Sequence, residues 1–476
     1  MTESVELADI QTRSWHRRFW LYLRLTGPGY LQSALTLGGG SVAACVYFGS
    51  MAGYELLWVQ PLSMFLGYFV LAAVAKIVCN TDERPYRVFW IHLSPALAIV
   101  WGLGALIATV IWHFPQYSVT ANGVISLAEG VGIGLDGTVA RAVIGVVVLC
   151  GAVGVIHMYN RGARGVRHFE FAVKILVWTV VLSFALVACV TGIQWRELFL
   201  GLTGITFLRN WLDGGIDPAM IQPIVAGMAA VTGINMFFLY AYALRRRGWG
   251  SQHKELAYFD LVTGMAIPFF FATGFMIIGV ANTIGPDAGG VGEPVRDIRA
   301  IVPVLGPTFG RFLGHEQWGD GIALLLIGTG MLAIGFSTIV THMLACSFIG
   351  CEMFNLSESK RARFWFALLP AIGILGVGAR LPWQTAITAS SINALLMPIA
   401  VLCFIVLMNK ESLMRGEMPR RLKRVIWNVA LITCLIVMAV AAWYGLKTNY
   451  RLLRENLGAR AASPAAVDSR QDTRRP

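Results

Sequence analysis

Charge is what this sequence has least of. Only 13% of its 476 residues are Asp, Glu, Lys or Arg, against about a quarter in a soluble domain. Such a deficit excludes an ordinary soluble domain of this length. Paired cysteines are also missing: the eight cysteines are scattered with no CxxC spacing, and Cys45, Cys79, Cys150, Cys189, Cys346, Cys403 and Cys434 lie in or beside apolar runs. They read as small buried hydrophobes rather than zinc ligands or disulfide partners. No P-loop, zinc-binding motif or hydrolase triad is present, so nothing calls for an enzyme or a cofactor. A cleavable signal peptide pattern is lacking too; residues 1–26 are polar and basic and read as a cytoplasmic N-terminal tail.

What is present is apolar sequence in long runs. Hydrophobic residues make up 56% of the chain, with 51 glycines. Runs near 27–50, 57–79, 95–125, 139–158, 168–191, 217–244, 262–284, 321–348, 364–379, 384–408 and 425–446 are candidate transmembrane helices. They predict an all-α polytopic membrane protein of about 11 spans, with residues 447–476 as a disordered basic tail.

The net charge of +12 does not call for nucleic acid. Arg84 and Arg87, then Arg161, Arg164 and Arg167, then Arg245, Arg246 and Arg247, sit in short loops between runs. The intervening loops 51–56, 126–138 and 380–383 are poor in Lys and Arg. This alternation predicts an N-terminus inside, in a bacterial inner membrane. The partners are then the lipid bilayer and a transported ion or small solute; no oligomeric state is readable. Glu170 and Lys174, one helical turn apart, read as an ion pair.

Two of the runs are interrupted. In GPGYLQSALTLGGGSVAACVYFGS, Gly38-Gly39-Gly40-Ser41 fall at mid-span; in the sixth run Thr232-Gly233-Ile234-Asn235 do the same. Each glycine in a helix costs about 1 kcal/mol relative to alanine. Broken helices persist at membrane depth only where freed backbone groups face protein or a cavity. Breaks in spans one and six fit two five-helix repeats of inverted topology, 27–191 and 217–408, with 425–446 as an extra helix. The transporter domain is thus 27–446, and the candidate substrate site is Gly38, Gly39, Gly40, Ser41, Ala229, Thr232, Gly233 and Asn235. His113, Gln116 and Tyr117 in the third run, and Ser390 and Asn393 in the tenth, are candidate pathway residues.

At these segments the chain resembles the natural resistance-associated macrophage protein (Nramp) family of divalent-metal transporters. Gly27-Pro28-Gly29 matches the family's GPG, and eight residues later GGGS stands where the family has DPGN. The family's MPHN falls on Thr232-Gly233-Ile234-Asn235, followed by the aromatic run Met236 to Tyr240. The resemblance implies a LeuT-type inverted-repeat fold and alternating access. It also implies that the metal-binding aspartate falls on Gly38, the asparagine on Ser41, the methionine on Thr232 and a second histidine on Leu239. The carbonyl-donating alanine (Ala229) and Asn235 are kept, and the third-span acidic pair falls near Trp112 to Tyr117, which holds no carboxylate.

These departures change the chemistry. Thioether sulfur selects soft transition metals, and position 232 has none. A dehydrated divalent ion would lack a counter-charge. The expected passenger is therefore a divalent cation such as Mg²⁺ in a non-standard site, held through its water shell by Ser41, Ala229, Thr232 and Asn235. An anion or small organic solute seated on glycine amides, or a non-transporting sensor or scaffold, are the alternatives.

Overall fold

The structure, a computed structural model, describes residues 14–81, 83–135, 137–214, 220–289, 298–357, 359–378, 384–414 and 417–462. Among these residues no strand occurs, as expected where the bilayer leaves every backbone polar group to be paired within its own segment.

The stretch before the first span is not a simple tail. α1 (Trp15–Leu25) is amphipathic: Leu21, Tyr22 and Leu25 are buried while Trp15 and Trp20 face outward. Its inner face packs Phe19 and Tyr22 edge-on against Phe259. The first span is a bent pair, α2 (Pro28–Thr36) and α3 (Gly39–Ala52), whose axes diverge by 52°. Then follow α4 (Val59–Asn80), the short α5 (Pro85–His92), α6 (Pro95–Gly130), α7 (Thr138–Tyr159) and α8 (Ala163–Thr191). Two short helices, α9 (Trp195–Thr203) and α10 (Ile205–Leu212), lead to α11 (Ile221–Ala230) and α12 (Ile234–Arg246). α13 (Lys254–Leu261) continues through a π-turn into α14 (Ile267–Ile284). α15 (Val302–Leu313) precedes the long α16 (Gly319–Met353). The remaining helices are α17 (Lys360–Leu368), α18 (Leu375–Gly378), α19 (Gln384–Met408), α20 (Glu411–Met414) and α21 (Arg421–Ala462).

Among the described residues eight helices are long and apolar enough to cross a membrane, or nine with the bent pair. The run at 364–379 is built differently from a single span. It is divided among α17, a 3-10 stretch at Leu369–Ile374 and α18, because Pro370 and Gly373 interrupt the α ladder. The backbone also stays helical to Ala462, past the boundary at 447 read for a disordered tail. Leu452, Leu453, Arg454 and Glu455 favour continuation of the helix over a chain break.

The densest contact joins α6 and α16, which run antiparallel. Gly321, Gly328 and Gly335 recur every seven residues along α16 and face Gly130, Gly123 and Thr120. A Cβ at Gly328 would lie 2.8 Å from the Gly123 carbonyl, and one at Gly335 would lie 2.1 Å from Thr120 Oγ1. Small residues here let two long helices touch backbone to backbone. Large apolar side chains on α7, α8 and α21, such as Val147, Leu182 and Ile436, point outward, as lipid-facing surfaces do.

Candidate functional site

The two interruptions meet in the middle of the bundle. α2 packs against α12, and α3 packs against α11. Each half of the broken first span therefore touches the opposite half of the broken sixth, which brings both breaks to one depth.

The first break is made without left-handed backbone. Gly38 has φ −74° and ψ 177°, extended geometry open to any residue. Glycine is needed for close approach instead: a Cβ at Gly39 would sit 3.0 Å from Val119, and one at Gly38 3.2 Å from the Leu35 carbonyl. The freed groups are taken up by neighbours. The Gly39 N–H donates to Gln116 Oε1 at 3.1 Å, and the Ser41 hydroxyl donates back to the Thr36 carbonyl at 2.5 Å. Thr338 on α16 donates its hydroxyl to the Ala34 carbonyl at 2.8 Å. Gly40 is buried with them.

The second break spans Val231 to Gly233 and bends less than the first; Pro223–Arg246 still reads as one span. The Gly233 N–H donates to the sulfur of Met236 at 3.1 Å, a cap supplied by the helix itself. Thr232 is buried against α4, where a Cβ on Gly67 would come within 2.2 Å of Thr232 Oγ1. Asn235 is buried beside it and Ala229 is half-buried. A cavity of about 20 Å³ adjoins Thr232 and Ala229, lined also by Ser63, Met228, Met397 and Met438. That volume suffices for one water-sized particle. Sulfur, missing at position 232, thus stands near the break on other residues, which the sequence motif alone does not reveal.

Behind the first break lies a buried polar set. His113, Gln116 and Tyr117 on α6 are fully enclosed, and His113 Nδ1 is 3.4 Å from Nδ1 of His342 on α16. His342 is not among the residues that the sequence singles out; 229 residues separate the pair. His113 Nε2, the Tyr117 hydroxyl, both side-chain polar atoms of Gln32 and the Ser33 hydroxyl have no hydrogen-bond partner. Leaving such groups unpaired costs about 1–3 kcal/mol each. Ser390 and Asn393 lie on α19, and their side chains are outside the described residues.

The N-terminal end of α2 is tied down. The buried Asp260 carboxylate accepts the N–H groups of Gly27 at 2.8 Å and Gly29 at 2.6 Å. A carboxylate at a helix start also meets the positive end of the helix dipole. A Cβ at Gly29 would fall 2.2 Å from the Asp260 carbonyl oxygen, and one at Gly27 would strike Glu170 and Arg247. These contacts explain both glycines of the GPG motif. Glu170 pairs with Arg247, whose Nε donates to Oε2 at 3.0 Å. Lys174, the partner expected from helical spacing, lies instead over the Tyr30 ring at 4.8 Å.

Among the described residues no group of three or more His, Cys, Asp or Glu is placed to hold a metal ion. The breaks offer backbone carbonyls, hydroxyls, one amide and nearby thioethers.

The family description Natural resistance-associated macrophage protein-like matches residues 29–446. The chain belongs to the Nramp family. Nramp2 of Populus trichocarpa, named a metal transporter, is 25% identical over 459 residues, covering 91% of this chain and 77% of the relative. The metal transporter Nramp2 of Arabidopsis thaliana is 25% identical over 448 residues, covering 89% and 76%. Among solved structures, the Eremococcus coleocola manganese transporter in complex with an aromatic bis-isothiourea substituted compound aligns with TM-score 0.69 at 14% identity, covering 91% of this chain and 88% of that one. MhsT in complex with L-phenylalanine aligns with TM-score 0.59 at 14% identity, covering 88% and 98%. This Nramp chain therefore has the LeuT-type fold, and it is an integral membrane protein rather than an enzyme.

Proposed function

We propose that this Nramp chain is a secondary-active carrier working by alternating access, with the passenger held between Gly38–Ser41 and Ala229–Asn235. The observation that carries this reading is the crossing of the two broken spans, α2 against α12 and α3 against α11. Gly38, Gly39 and Gly40 supply backbone groups; Ser41, Thr232 and Asn235 supply hydroxyls and an amide; Ala229 and Gly233 supply carbonyls. The polar set His113, Gln116 and Tyr117, with Ser390 and Asn393 on α19, borders the pathway. The repeats are 27–191 and 217–408, and the N-terminus faces the cytoplasm of a bacterial inner membrane.

The passenger is a divalent cation such as Mg²⁺. Membership of a family whose named relatives are metal transporters supports a cation. The absence of a carboxylate from both breaks argues for an ion that keeps part of its water shell, because Mg²⁺ dehydrates reluctantly and accepts neutral oxygen ligands through water.

Thermal-shift titration of the purified protein with Mg²⁺, Mn²⁺, Fe²⁺, anions and small metabolites, followed by flux in proteoliposomes, tests the proposal. Saturable Mg²⁺ uptake that falls at least tenfold in Ser41→Ala and Asn235→Ala is the expected result. Uptake of an anion or neutral solute with indifference to divalent ions would replace the cation reading. No flux of any of them, in either direction, would sink the carrier.

A further inference from the structure

The small cavity beside Thr232 lies where four elements meet, with Ser63 on α4, Met228 on α11, Met397 on α19 and Met438 on α21 in its wall. We propose that the thioethers of Met228, Met397 and Met438 form a binding site there for a soft monovalent cation, copper(I).

The composition of the wall is the first reason. Three of its nine lining residues are methionine, against 17 of 476 in the whole chain. They come from three helices far apart in sequence, so no local run explains their meeting. The ordinary role of a core methionine is to fill gaps, because its side chain is unbranched and flexible. Three such side chains converging on one gap should close it, yet a cavity of about 20 Å³ persists among them.

Charge is the second reason. No residue of the lining is charged, and no charged residue stands within four positions of any of them in the sequence. The cost of burying an ion rises with the square of its charge, so a divalent ion is about four times as costly here as a monovalent one of the same size. Mg²⁺ and Ca²⁺ also require a cage of oxygen ligands. Thioether sulfur is neutral and soft, and it selects copper(I). Water is the other occupant of matching size, but it needs about two to four polar partners. This wall has two side-chain hydroxyls, and that of Ser63 already donates to the Val59 carbonyl.

The wall is also held in place. The Cys434 thiol, one turn before Met438 on α21, donates to the carbonyl of Leu66, another lining residue, at 3.3 Å. That contact ties α21 to α4 at the level of the cavity. The site goes beyond the passenger reading: it is read by binding rather than flux, and it stands or falls apart from what the carrier moves.

Competition between the detergent-purified full chain and bicinchoninate for copper(I), under ascorbate, tests this on a Cys150→Ser/Cys189→Ser background that removes the two exposed thiols. One copper(I) should bind per chain. The Met397→Leu/Met438→Leu double variant, a volume-conserving change, should weaken binding at least tenfold, and Met228→Leu alone severalfold. Met331→Leu, on α16, which takes no part in the lining, should leave it within twofold. In selenomethionine-labelled protein, copper-edge X-ray absorption should show copper–selenium scattering, which no cysteine can supply and which requires no variant to fold. Absence of bound copper(I) would overturn the proposal. So would copper(I) without selenium neighbours, or an affinity that the Met397→Leu/Met438→Leu and Met228→Leu changes leave unaltered.

Discussion

The two broken spans solve one problem in opposite ways. The first bends by 52° and hands its freed groups to other helices, the Gly39 N–H to Gln116 on α6 and the Ala34 carbonyl to Thr338 on α16. The second bends less and caps its Gly233 N–H with the Met236 sulfur from its own next turn. A thioether is a weak acceptor, so the second break is loosely capped while the first is cross-braced. The first break therefore depends on where α6 and α16 stand, and those two helices are locked together along their glycine seam. The second carries the Met236 cap within its own helix and sets Thr232 against α4.

Substitutions at matching positions should separate the two. The largest effect is expected for Asp260→Ala, which removes the acceptor of two buried N–H groups at the start of α2. Each donor left unpaired costs about 1–3 kcal/mol. A cysteine placed at Gln32 should then react with a water-soluble maleimide at least tenfold faster, whereas one at Phe237 on α12 should not change. Equal acceleration at both positions would show that the half-helices are not independently held.

Gly39→Val comes next. Its side chain would press into Val119, and overpacking of this kind costs about 1–3 kcal/mol. Gly233→Ala, at φ −106°, keeps a backbone conformation that any residue adopts and should lower the thermal midpoint by less than Gly39→Val. Similar losses from the two variants would erase the distinction between close approach and simple chain interruption.

Gln116→Leu should destabilise by about 1–3 kcal/mol, because the buried Gly39 N–H loses its acceptor. Met236→Leu, the smallest effect, removes only a weak acceptor and should stay below about 1 kcal/mol in a denaturation midpoint series. If Met236→Leu cost more than Gln116→Leu, the sulfur cap would be the stronger element.

The spans and both interruptions are legible in the sequence because they depend on local composition: long apolar runs, and glycine or Thr-Gly where a helix should continue. The GPG motif is visible there, but its reason is not. Asp260 lies 233 residues beyond Gly27, and no periodicity links them. The same holds for His342 beside His113 and for Arg247 beside Glu170, where helical spacing points to Lys174 instead. The division of 364–379 is signalled by Pro370 and Gly373, yet apolar composition outweighs them in a reading based on run length. The sulfur near Thr232 comes from Met236 inside the next helix and from α11, α19 and α21, elements whose proximity only folding establishes.

The nine-residue rod α2 is fastened at its beginning to α13 and, just past its end, to α6. A strut clamped at both ends cannot pivot; it must be unclipped at one of them. Release at Asp260 would let the rod swing outward from the hub at Gly38, while release at Gln116 would loosen the hub and leave the foot in place. The chain thus carries a foot clasp at Asp260 and, toward the hub, clasps at Gln116 and Thr338 on a single short lever, and the order in which they let go would set which end of it moves first.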